Sequence, residues 1–266
     1  MNTIAWREFE KDVSTCLANK AASRPSVSIH RIGGSTSNAS DIEVTTAYDH
    51  FFVECKYNGK ARFGQTVLRQ DDDGRFIPSG VTKPYWQQSI DALNAYAASK
   101  EITRSSLTVP CSQEILNEAV TAHYDEYGVR FIVTGNKQDM RFIDLEHSEL
   151  RDFFEFTLHV RRKLSGSRRC SSSDAPLLRF LSEQGINATF QRHGTHLYLI
   201  APSYAGKLPL CFSINDRRYR IAPNDDGECE IRRLSNTDNI TMLIGGTFID
   251  TDCTDGEQSI DAILCQ

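Results

Sequence analysis

Nowhere in its 266 residues does the chain run through about 18 apolar residues in succession, so no transmembrane helix and no membrane partner are expected. The opening MNTIAWREFEKD reaches charge at once and shows no apolar h-region, so no signal peptide is expected and a cytoplasmic location is. The eight cysteines form no C-x-x-C pair, which argues against a zinc knuckle or a dense disulfide framework. They read instead as reduced thiols used as small core residues, and the triplets NAS, NAT and NIT then carry no glycan. No Walker A run, GxSxG elbow or HExxH pair is present, so energy coupling by this chain alone is not expected. Residues 235–266 lack Lys and Arg altogether.

What is there is ordinary for a folded protein. The chain is 39% hydrophobic and 24% charged, enough for a core in one large or two small domains. The net charge of −5 hides a pattern. Residues 160–234 hold 13 Lys/Arg against 7 Asp/Glu, while residues 235–266 hold six acids. A basic middle segment in an acidic chain is an electrostatic footprint for a polyanion, although a solvated face reads the same way.

Residues 4–20 put Trp6, Phe9, Val13, Cys16 and Leu17 on one helical stripe, with Glu10 leaning towards its edge. SVSIHRI reads as a strand, GGSTSNAS as a connector, and residues 41–47 and 50–56 as two strands joined by a tight turn. A hairpin around Asp73-Gly74 follows, then a helix in KPYWQQSIDALNAYAASK, a short strand in SSLTVP and a helix capped by Ser112 and closed at Gly128. VRFIVTG and MRFIDLE read as strands and HSELRDFFEFTLHVRRK as a long helix with a basic last turn. The serine-rich SGSRRCSSSDAP reads as a linker. The expectation is therefore an α/β domain over residues 1–165 and a second, smaller α+β or mainly β domain over residues 170–266.

The stretch SDIEVTTAYDHFFVECK places charge where strands should be most buried. Glu54 and Lys56 share one strand face, with Cys55 opposite. A hairpin register setting Asp41 opposite Lys56 would leave Asp41 diagonal to Glu54, about 7 Å away or less. A divalent cation between the two carboxylates would remove their repulsion and offset the desolvation. Oxygen ligands suit Mg²⁺, with Mn²⁺ as a substitute, and leave positions for a phosphate oxygen and a water. Lys56 would then orient that water or stabilise charge developing on phosphorus. An interstrand surface salt bridge is the bland alternative, but FFVECKY is too apolar for an exposed face.

The segments REFEKDV, SNASDIEV and FFVECKYNGK resemble the PD-(D/E)xK nuclease superfamily, most closely its Mrr-type restriction nucleases and Holliday-junction resolvase relatives. The likeness continues through RFIVTGNKQDMRFIDLEHSELRDFF and covers about residues 4–160. It implies a restriction-endonuclease-like mixed sheet flanked by helices. It also implies Asp41 and Glu54 as metal ligands with the Cys55 carbonyl as a third oxygen, Lys56 as the water-orienting group, and Glu10 as an additional acid. Gln87 or Gln88 would match a glutamine found in many members. The implied activity is Mg²⁺-dependent hydrolysis of DNA to 5′-phosphate and 3′-hydroxyl ends. Ser40 stands where the motif often has proline, and the interval from Lys56 to Pro84 is longer than usual.

Lys60 and Arg62 lie just past Lys56, where they would contact phosphate or form a solvated loop. Arg161, Arg162 and Lys163 would clamp a DNA backbone or cap a helix dipole. Arg218 and Arg220 alternate with Arg217 and Tyr219 along DRRYRIAP and could lay one strand face on DNA. His193 and His196 read as turn decoration. The expected role is restriction or antiviral defence, as a homodimer since a double-strand cut needs two such sites. DNA repair or junction resolution is one alternative, and a non-cleaving DNA-binding or assembly module is another.

Overall fold

The computed structural model describes residues 3–32, 40–58, 60–80, 83–97, 100–164, 167–169, 175–185, 189–193, 196–200, 210–223, 229–234, 238–249 and 252–265. Most of the expected connector, the middle of the serine-rich linker and residues 224–228 lie outside these residues. Two compact units emerge: residues 1–161 together with 240–266, and residues 162–239.

The first unit opens with helix α1 (Thr3–Lys20), whose Phe9, Val13 and Leu17 are buried at helical spacing. Strands β1 (Ser28–Arg31), β2 (Ile42–Thr45) and β3 (His50–Tyr57) follow as an antiparallel meander. Then come β4 (Lys60–Gln70), β5 (Phe76–Pro78), α2 (Gln87–Ala97), β6 (Leu107–Val109), α3 (Gln113–Glu126), β7 (Val129–Asn136), β8 (Asp139–Asp144) and β9 (Phe154–Leu164). The Ser112 side chain accepts from the Ile115 N–H at the start of α3, and Gly128 at φ +64° turns the chain out of it, as their positions in the sequence require.

Two five-stranded sheets result, ordered β1-β2-β3-β7-β8 and β5-β4-β16-β9-β6, where β16 is Asp238–Phe248. The first is mixed, because β3 and β7 run parallel while every other pair in it is antiparallel. One face of it packs Val44, Val53, Phe131 and Val133 against α1 and the final helix, Thr254–Leu264. Its other face shares a core with α2, α3 and the second sheet through Ile132, Leu93, Leu116, Phe63, Phe156 and Met242.

Two expectations are corrected. HSELRDFFEFTLHVRRK is not a long helix: a single 3-10 turn at Leu150–Asp152 leads into β9. Phe154, Phe156, Leu158 and Val160 are buried while Glu155 and Thr157 are exposed, a period of two that only a strand satisfies. Residues 240–266 do not belong to the second unit either. β16 returns to lie between β4 and β9, and the final helix buries Ile260, Ile263 and Leu264 in the α1 core.

The second unit holds β10 (Ser167–Arg169), α4 (Ala175–Glu183), β11 (Thr189–His193), β12 (His196–Ile200), β13 (Leu210–Ile214), β14 (Arg217–Pro223) and β15 (Cys229–Leu234). Its sheet runs β11-β12-β15-β14-β13, with β10 also on β15. Phe180 of α4 stacks on Phe212, which stacks on Tyr219, so α4 covers that face.

Candidate active site

The buried charges of the first sheet follow from what its other face demands. Val53 faces α1 fully buried and Cys55 packs against the same core. Strand alternation then turns Glu54 and Lys56 to the opposite side. The register pairs Ile42 with Val53, which brings Asp41 level with Glu54 rather than with Lys56. This differs by two residues from the expected pairing and draws the two carboxylates closer. The Asp41 backbone is fixed by its carbonyl, which accepts from the Ile32 N–H at 2.9 Å. Its carboxylate accepts from the Cys55 N–H at 2.8 Å and is bonded to the Glu10 carboxyl from α1.

Lys56 is 8% exposed. Its Nζ donates to Glu54 Oε1 at 2.6 Å and to the Arg62 carbonyl at 2.9 Å, and it lies over the rings of Phe63 and Tyr124. Thr134 Oγ1 donates to the Lys56 carbonyl at 2.8 Å, pinning the strand to β7. Two of the three ammonium protons are thus committed and one is left.

Electrostatically the cluster is unbalanced. Three carboxyl groups face one ammonium. Burial, then the neighbouring Asp41 charge, pushes Glu10 up to about 9, with Arg31 pulling the other way. Burial, then Glu54, pushes Asp41 up to about 6 despite Lys56 and the Cys55 N–H. Burial alone would lower Lys56, but Glu54 outweighs it and holds the ammonium well above its ordinary value. One fixed cation therefore does not satisfy the carboxyls, and a further cation would.

Among the described residues no three His, Cys, Asp or Glu side chains converge to chelate an ion by themselves. Two carboxylates, a backbone oxygen and open positions remain, a donor set that suits a hard, largely hydrated cation such as Mg²⁺ rather than zinc.

Beside Glu54 and Lys56 opens a cavity of about 560 Å³, walled by Phe63, Trp86, His123 and Tyr124. Gly64 makes room for it, since a Cβ there would lie 2.6 Å from the Trp86 ring. At the far wall Tyr85 donates to Glu126 Oε2 at 2.9 Å and meets His123 Nδ1 at 3.0 Å, while Lys83 pairs with Glu126. Burial lowers His123 and raises Tyr85. Sequence reasoning missed this wall. Tyr124 and His123 sit in an ordinary amphipathic helix pattern, and only the tertiary fold turns them onto the site.

The other expected residues are dispersed. Arg62 is exposed at the cavity rim. Lys60 begins β4, and its side chain lies outside the described residues. Gln87 and Gln88 are exposed on α2; Gln87 donates to Asp91, and neither lines the cavity. Arg161, Arg162 and Lys163 lie on β9, not on a helix end. On β14 Tyr219 is buried, Arg217 and Arg220 are exposed and Arg218 is half-buried. Cys16, Cys55, Cys111, Cys211, Cys253 and Cys265 are free thiols. No helix among the described residues is long and apolar enough to cross a membrane.

A mixed sheet between helices, carrying an acidic cluster where β2 meets β3, is a restriction-endonuclease-like fold. Over the whole of both chains the protein is similar to a solved structure of the HhaI endonuclease in complex with DNA, with a TM-score of 0.76 and 22% identity. No protein-family model and no curated protein matches the chain.

Proposed function

We propose that the chain is a magnesium-dependent endodeoxyribonuclease serving restriction or antiviral defence. The observation that carries the proposal is the surplus of carboxyl groups, buried Glu10 and half-buried Asp41 and Glu54, around the single ammonium of Lys56. Asp41 and Glu54 would hold the metal with the Cys55 carbonyl, and Glu10 would share the surplus proton. When bound, Mg²⁺ or Mn²⁺ would neutralise the carboxylates and withdraw charge from a phosphate oxygen.

The protein's own groups do the rest. Lys56 is held by Glu54 and the Arg62 carbonyl with one N–H left to direct at a phosphate oxygen or at the attacking water. Addition of water breaks the P–O3′ bond, the proton passing to the departing 3′-oxygen, and leaves 5′-phosphate and 3′-hydroxyl ends. DNA as substrate fits the DNA complex of the structural neighbour. Lys60, Arg62, Arg161, Arg162, Lys163, Arg218 and Arg220 are the proposed backbone contacts. A homodimer would supply the second cut.

Supercoiled plasmid incubated with Mg²⁺ should be nicked by wild type, not by Asp41→Ala, and not in EDTA. Equal cutting by the two proteins would remove Asp41 from the site.

A further inference from the structure

The cavity beside Lys56 is lined by a tyrosine whose hydroxyl proton finds no acceptor among the described residues. Tyr124 lies on the buried face of α3 with Leu116 and Val120 and is 3% exposed. Its ring meets Phe63 edge-on at 6.2 Å, and the Lys56 ammonium sits 5.7 Å from the ring centre. The Tyr124 oxygen is sealed from solvent, with the Lys56 ammonium as the donor beside it, and no acceptor for its own proton is found among the described residues. Lys56 cannot supply one for the phenolic proton, because an ammonium only donates. That proton must therefore turn away from Lys56, towards the cavity both residues line.

A buried donor without an acceptor is costly, and phenylalanine would fill the same volume without that cost. The acceptor should therefore come from outside the chain. An anionic oxygen placed in the cavity would receive both the uncommitted N–H of Lys56 and the Tyr124 O–H, and the space is large enough for a nucleotide.

We propose that Tyr124 is a further catalytic residue, donating its hydroxyl to a non-bridging oxygen of the scissile phosphate. The assignment rests on the nuclease reading above. It adds a neutral donor that gains strength as charge builds on that oxygen.

Tyr124→Phe tests it against a defined duplex in Mg²⁺, with Lys56→Ala run in parallel. The expected result is a fall in kcat of about 10²-fold with KM within about twofold. The metal-free melting temperature should be unchanged or higher, since the phenolic proton donates to no group of the protein. A phosphorothioate at the contacted oxygen should slow wild type more than the variant. A variant that cuts at the wild-type rate while Lys56→Ala is inactive would overturn this assignment and leave the nuclease reading standing. A lost rate accompanied by a lowered melting temperature would also overturn it, marking Tyr124 as structural. Wild type that cuts no DNA would overturn the nuclease reading and this assignment with it.

Discussion

Two acids of the same sheet, Asp144 buried and Asp41 half-buried, meet opposite surroundings. Asp144, at the end of β8, is 2% exposed and fully engaged: Arg130 approaches at 3.7 Å, Ser259 of the final helix donates to Oδ2, and the Glu146 N–H donates to Oδ1 at 3.0 Å. Asp41, three strands away, faces Glu54 and Glu10 with Lys56 as the balancing charge and is driven up to about 6, by burial first and by Glu54 next. A buried carboxylate alone marks nothing, since fixed partners can satisfy it and tie two elements together. Carboxyls left in surplus cost stability, and such a cost is typical of functional sites.

The bluntest way to break the comparison is truncation. A fragment ending at residue 165 retains Glu10, Asp41, Glu54, Lys56 and Asp144, but loses β16 and the final helix. Met242, Ile244, Ile260 and Leu264 no longer cover the two cores, and Asp144 loses Ser259. The fragment should show no cooperative melting transition by circular dichroism; cooperative melting would mean that residues 240–266 are dispensable.

Paired substitutions sharpen the contrast. Asp41→Asn should lower plasmid cleavage by at least about 10³-fold while leaving the metal-free protein as stable or more so, because repulsion is relieved. Asp144→Asn should do the reverse, costing about 2 kcal/mol in denaturant unfolding and leaving the rate per folded molecule intact. If Asp144→Asn abolishes cleavage at full stability, or Asp41→Asn unfolds the protein, the two roles have been exchanged.

The smallest expected effect is on pH dependence. Glu10 and Asp41 titrate higher folded than unfolded, Glu10 at about 9 and Asp41 at about 6. Their contribution is complete below the ordinary carboxylate range and is lost as pH rises through the folded values. Stability of the metal-free protein should therefore decline between about pH 5 and pH 9, and Glu10→Gln should flatten the decline. A wild-type curve that rises over that window would contradict the surplus.

Much of the candidate site was legible in the sequence, because it is local. Asp41, Glu54 and Lys56 lie on one hairpin, and the alternation of FFVECK fixes their face. The register was not legible to better than two residues, since the turn near Tyr48 admits more than one loop length, and the observed pairing of Ile42 with Val53 sets Asp41 against Glu54 itself. β9 was hidden because HSEL and RRK flank it with the charges of a capped helix, although FEFTLHV alternates. The return of β16 between β4 and β9 was invisible, because long-range pairing leaves no local pattern. Tyr124 was invisible for the opposite reason: its spacing from Leu116 and Val120 explains it fully as core.

The most direct measurement is Mg²⁺ titration at about pH 6–7, following heat and released protons together, on wild type, Asp41→Asn and Asp144→Asn. Wild type and Asp144→Asn are expected to bind the ion and release protons, as Glu10 and Asp41 give theirs up, and Asp41→Asn to bind far more weakly. Equal binding by Asp41→Asn, or binding without proton release, would contradict this.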